Sequence, residues 1–130
     1  MPLQRIDLGT GRAAEQRRAI ADAVHRALVE TCGVPEQDRF QIVAAHERGA
    51  VVFAPEYLGI RHQDPVLVQI TLNAGRTLEQ KQRLYRRMAE LFSAAGVPAN
   101  DLVVSLVEVT KENWSFGDGV AQYAPAAPPG

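Results

Sequence analysis

Apolar residues follow two rhythms along this chain, and the pair of rhythms occurs twice. Leu3–Leu8 and Val66–Leu72 are short strand-like runs. The second is apolar at nearly every position, as in a strand covered on both faces. Helical spacing follows each run: Ile20, Val24, Ala27 and Leu28 in the first half, Leu84, Met88, Leu91 and Phe92 in the second. Gly33 and Gly96 close these helices, each with a proline two residues on. Glycine accepts the left-handed turn of a helix end, and proline cannot continue the helix. Strands resume at Phe40–Ala44 and Leu102–Val109. After a turn at Glu47-Arg48-Gly49, Ala50–Phe53 reads as an extra strand or hairpin arm. The tail Ala124–Gly130, rich in proline and alanine, reads as disordered.

The rhythm repeats because the sequence does. Gly33-Val34-Pro35-Glu36-Gln37-Asp38 returns 63 positions later as Gly96-Val97-Pro98-Ala99-Asn100-Asp101. Gly11-Arg12-Ala13-Ala14-Glu15-Gln16-Arg17 returns 64 positions later as Gly75-Arg76-Thr77-Leu78-Glu79-Gln80-Lys81. Pro2 has a counterpart in Pro65, each just ahead of an apolar run. A unit of about 60 residues is duplicated, with repeats at about 2–44 and 65–109. Each unit is strand–helix–strand, and a connection through one helix favours parallel pairing of its strands. The expected fold is α+β in two layers, a duplicated β-α-β arrangement. It has a four-stranded mixed sheet with two helices on one face, a short hairpin and a C-terminal extension, all in one domain over 1–123. The face without helices would stay partly apolar, which predicts an oligomer.

Length and charge narrow the function. A chain of 130 residues suits one domain. Fourteen basic and fifteen acidic side chains leave a net charge of −1, too little positive field for non-specific nucleic-acid binding. No apolar run reaches membrane-spanning length and no basic-then-apolar leader opens the chain, so a soluble cytoplasmic protein is expected. Cys32 is the single cysteine, which precludes an intrachain disulfide and reads as core filler. His25, His46 and His62 lack metal-ligand spacing and read as surface or loop residues. Phosphate-binding glycine loops and Gly-x-Ser-x-Gly turns are missing too.

Some residues remain as candidates for chemistry. Removal of Met1 would leave a secondary amine on Pro2, able to act as base if desolvated or as acid beside a carboxylate. Pro65, an interior residue, carries only an amide nitrogen. Thr77 and Gln80 fit a capping box, which sets Arg76 just ahead of a helix N-terminus. There a guanidinium and the dipole end could together hold a carboxylate; the alternative, since Arg12 occurs at the same place in the other half, is that Arg76 is a solvated loop residue. Asp38 has a twin in Asp101 and by default forms a turn. Asn113-Trp114-Ser115-Phe116-Gly117-Asp118-Gly119 has no twin and holds the single tryptophan, either as core or as a pocket wall.

Pro2 after Met1, the duplicated unit, "GVPEQDRFQIV" at Gly33–Val43, Arg76 and "NWSFGDGVAQY" at Asn113–Tyr123 together resemble the tautomerase superfamily, and within it the malonate semialdehyde decarboxylase branch. The resemblance runs from Pro2 to about Tyr123. It implies a homotrimer that needs neither metal nor organic cofactor and works on a small oxo acid, with no nucleic-acid or membrane partner. It implies Pro2 as catalytic amine, Asp38 as its assistant and Arg76 as the group that holds the substrate carboxylate. Trp114 and Phe116 match the aromatic wall of the pocket, and Asn73 is a further substrate-binding candidate. One departure stands out. Where the better-known decarboxylase carries Arg-Pro-Arg, this chain reads Asn73-Ala74-Gly75-Arg76, so one arginine remains and Asn73 or Ala74 replaces the other. The implied reaction is decarboxylation with keto–enol tautomerase activity. Alternatives are a phenylpyruvate-type tautomerase and a non-catalytic module that binds small ligands.

Overall fold

The computed structural model describes residues 2–124. Its elements are β1 (Leu3–Gly9), α1 (Ala14–Cys32), β2 (Phe40–His46), β3 (Glu56–Tyr57), β4 (Ile60–Arg61), β5 (Val66–Asn73), α2 (Leu78–Ala94) and β6 (Leu102–Val109). Short 3₁₀ turns occupy Ala99–Asp101 and Lys111–Asn113. The main sheet runs β2-β1-β5-β6, with parallel outer pairs and an antiparallel centre where β1 meets β5. This is the duplicated β-α-β fold expected from the sequence.

Strand alternation decides which face is covered. Gln4, Ile6 and Leu8 of β1 and Val66, Val68, Ile70 and Leu72 of β5 are buried. The apolar ones pack with Ile20, Val24 and Leu28 of α1 and Leu84, Met88 and Phe92 of α2. Each such side chain contributes about 1.5–3 kcal/mol when fully buried. On the opposite face Leu3, Phe40, Ile42, Val103 and Val107 stay exposed. Helix ends follow the sequence. Thr77 Oγ1 accepts from the Gln80 amide at 3.1 Å while Gln80 Oε1 accepts from the Thr77 amide at 3.1 Å, closing the capping box of α2. Gly33 ends α1 at φ 68°.

The alternation also corrects one equivalence. Matching faces in the two halves requires an even offset, because a shift of one residue exchanges the faces of a strand. The offset of 64 that carries Arg12 to Arg76 also carries Pro2 to Val66. Pro65 therefore lies one residue before the true counterpart of Pro2.

Two local expectations also change. Ala50–Phe53 is a loop rather than a strand, following the turn closed from the Ala50 amide to the Glu47 carbonyl. The hairpin comes later, as β3–β4, and turns on Leu58 and Gly59 at φ 52° and 79°. Two successive positive φ values match the twist of a tight hairpin, but leucine at the first of them conceals the usual sequence signal. His25 is not a surface residue. It is buried on α1, where Nε2 lies 2.7 Å from the main-chain oxygen of Glu36, a partner that offsets the cost of burying the ring. Of the tail expected from Ala124 onward, residues 125–130 lie outside the described residues, as does Met1.

Candidate functional site

The antiparallel centre of the sheet assembles the candidate site. Leu3 pairs with Thr71, so the start of β1, with buried Pro2 just ahead of it, lies beside the end of β5. Leu3 also pairs with Phe40, which brings the start of β2 and the preceding Asp38 to the same end. Asn73 pairs with Val109, so the segment after β6 sets out from there as well. Four pieces of chain distant in sequence thus meet at one end of the sheet.

Arg76 reaches the site over a glycine. Gly75 takes φ 126°, a conformation costly for any other residue, and the chain turns back. Arg76 Nη1 donates to the Asn73 carbonyl at 3.0 Å and Nη2 to the Cys32 carbonyl at 3.3 Å. Cys32 is the last residue of α1. The guanidinium therefore stands between the N-terminus of α2 and the negative end of α1, more fixed than the sequence reading placed it. Both acceptors are neutral carbonyls, so the positive charge is kept and the rest of the donor fork can take an anion. Glu108 is the nearby carboxylate. Its hydrogen bond to Lys81, at 2.5 Å, holds it below the ordinary carboxylate range, with a smaller contribution from Arg76.

The aromatic wall is larger than the sequence indicated. Trp114 Nε1 donates to Asn73 Oδ1 at 2.7 Å. The Trp114 and Phe116 rings stack at 5.3 Å. Phe116 also meets Phe40 at 5.7 Å and the edge of Tyr123 at 5.7 Å. Phe40 and Tyr123 were missed. Phe40 could have been found from the expected parallel pairing of the first and second strands, whereas no sequence pattern links Tyr123 to Phe116. Asn73, Arg76, Trp114 and Phe116 come together at the end of the sheet where buried Pro2 precedes β1. Asp38 is 6% exposed in the turn that its amide closes on Pro35, the turn its twin Asp101 makes on Pro98.

A cavity of about 560 Å³ lies at the other end of β1, lined by Thr10, His46, Arg48, Phe53, Asp64 and Pro65 among others. It occupies the position that the duplication relates to the Pro2 site, but no amine can form at an internal Pro65.

Two models of the tautomerase enzyme family match the chain, over residues 38–117 and 2–61. The chain belongs to the tautomerase superfamily, in its malonate semialdehyde decarboxylase-like branch. It is 39% identical over 124 residues to the probable tautomerase YrdN of Bacillus subtilis (strain 168), covering 95% of this chain and 96% of that one. The FG41 malonate semialdehyde decarboxylase inhibited by 3-bromopropiolate is 43% identical, superposes with a TM-score of 0.88, and is covered to 93%, as is this chain. A fused 4-OT solved as a symmetric trimer is 26% identical with a TM-score of 0.76, over 91% of this chain and 94% of that one. Among the described residues no helix is long and apolar enough to cross a membrane, and no His, Cys, Asp and Glu side chains group as metal ligands.

Proposed function

We propose that this tautomerase-superfamily enzyme uses the amine of Pro2, exposed by loss of Met1, to decarboxylate a small 3-oxo acid of the malonate semialdehyde type. Keto–enol tautomerisation of related oxo acids would accompany it. The observation that carries the reading is the convergence of buried Pro2, charge-retaining Arg76 and a stacked aromatic wall at one end of the sheet.

Arg76 holds the substrate carboxylate, and Trp114 and Phe116 keep water from it. When the bond to that carboxylate breaks as CO₂ leaves, its electron pair moves onto the neighbouring carbonyl. A protonated Pro2 hydrogen-bonded to the carbonyl oxygen stabilises this charge. Protonation of the resulting enolate at carbon by a proton from solvent then yields the aldehyde.

The internal twin supports a cationic Pro2. Asp101 accepts the amides of Gln63 and Asp64 at 2.9 and 3.3 Å, just ahead of β5. By the duplication, Asp38 faces the start of β1, where a carboxylate favours the protonated amine. Tautomerase action alone would need that amine neutral, and ¹⁵N NMR titration separates the two.

The exposed apolar sheet face and the trimeric fused 4-OT support a homotrimer. We take residues 1–123 as one domain and the cytoplasm as its place of action. The direct test assays malonate semialdehyde and the enol of phenylpyruvate with wild type and Pro2→Ala. A loss of at least about 10²-fold in kcat/KM is expected, the scale of general acid catalysis. Equal turnover by the two proteins overturns the reading, and indifference to a residue added before Pro2 favours a binding module.

A further inference from the structure

Resting on that reading of the site, we infer that Asn73 is a positioning residue: it sets the distance between Arg76 and the aromatic wall and does not itself grip the substrate. Asn73 ends β5, and its backbone is fixed by pairing with Val109 and by the Ala74 amide donating to the Val109 oxygen at 2.8 Å. From this anchored point it holds two groups. Its main-chain carbonyl takes Nη1 of Arg76 at 3.0 Å, and its side-chain carbonyl takes the indole N–H of Trp114 at 2.7 Å. An indole N–H can only donate, so the amide must turn its oxygen toward Trp114.

The segment that carries Trp114 depends on this bond. After β6 its only regular structure among the described residues is the turn Lys111–Asn113, and it bends back through Gly117, Asp118 and Gly119 at φ 132°, 58° and 68°. Gln122 folds the bend on itself, accepting from the Phe116 amide at 2.9 Å and donating to the Gly117 oxygen at 3.0 Å. Those bonds shape the loop without attaching it to the sheet. The Trp114–Asn73 bond and the Phe116–Phe40 contact make the attachment.

The two halves of this role separate by mutation, because a side-chain change leaves the main-chain carbonyl in place for Arg76. Asn73→Leu removes the acceptor at nearly constant size, and Asn73→Asp retains an oxygen for the indole. Trp114 is the single tryptophan, so its fluorescence reports the attachment directly in the free protein. Acrylamide should quench Asn73→Leu about three times more effectively than wild type, and Asn73→Asp about as wild type, as loss of one hydrogen bond implies. With malonate semialdehyde, Asn73→Leu should lower kcat about three- to tenfold and leave KM within about twofold. In a Trp114→Phe background the same substitution should change kcat/KM by less than about twofold, since residues acting through one another are not additive.

Unchanged quenching in Asn73→Leu overturns the inference, and so does a rise in KM or full additivity with Trp114→Phe. If wild type turns over no oxo acid, the functional reading fails while the quenching comparison still decides the role of Asn73.

Discussion

The two ends of the central strand pair were built from one template and now satisfy their polar groups differently. At the end near Pro65, the inherited polar groups satisfy one another. Arg12 is buried and donates to the Asp64 carbonyl at 2.5 Å, with the Asp64 carboxylate 3.4 Å away. Asp101 accepts the two amides ahead of β5. At the Pro2 end, Arg76 meets neutral carbonyls, and among the described residues no carboxylate forms an ion pair with it. An arginine neutralised inside the fold supports stability, and one bonded only to neutral carbonyls has charge left for a ligand. Duplication supplied both arginines, and their partners decided which is which.

The comparison breaks most sharply at the chain terminus. Extending the protein by one alanine ahead of Pro2 converts the amine into an amide. This should reduce decarboxylation by about 10²-fold or more, while the melting temperature changes little. An alanine inserted between Asp64 and Pro65 makes the contrasting change. It shifts the amides that Asp101 holds, so it should lower the melting temperature by several degrees. Activity and calorimetry on the two variants check both halves of the contrast.

Exchanging the arginines comes next in size. Arg76→Ala should cost about tenfold to a hundredfold in kcat/KM, the loss of a charge-assisted contact to the substrate carboxylate, with a small effect on stability. Arg12→Ala should leave kcat/KM nearly unchanged and destabilise the fold by about 1–3 kcal/mol, because Asp64 and its carbonyl lose their donor. Asp64 is half exposed and can rehydrate, which limits the cost. Urea unfolding and steady-state kinetics on both variants would reveal a crossed pattern. Matching effects at the two positions would mean that partners do not set the roles.

These differences explain what could be read from the chain beforehand. The fold was legible because the cues agreed: periodicity, helix stops and the repeat all pointed to paired β-α-β units. The gathering of Asn73, Arg76, Trp114 and Phe116 followed from family motifs, not from spacing. Phe40 and Tyr123 escaped because their contacts depend on where a loop returns, and no periodicity encodes that. Leu58 hid the hairpin by taking a backbone conformation usually left to glycine or asparagine. His25 broke the apolar pattern of its helix and is still buried, because a main-chain carbonyl from a following loop supplies its partner.

The finest test concerns why Arg76 keeps its charge when Glu108 is so near. Lys81 engages Glu108 and, with a minor effect from Arg76, holds its carboxyl below the ordinary range. A group whose pKa is lowered by folding adds stability above its unfolded-state value, and that stability is lost as pH falls through the folded-state value. The melting temperatures of wild type and Lys81→Met should therefore differ slightly at pH 6–7 and converge as pH falls below the ordinary carboxylate range, through the lowered folded-state value of Glu108. Near neutrality the variant frees Glu108 to screen Arg76 and compete with the substrate carboxylate. KM should rise about two- to fivefold at low salt, as expected for an exposed pair, and return toward the wild-type value as ionic strength increases. A KM that ignores both the substitution and the salt would show that Glu108 has no influence on Arg76, and that neutral partners alone preserve the charge at the Pro2 end.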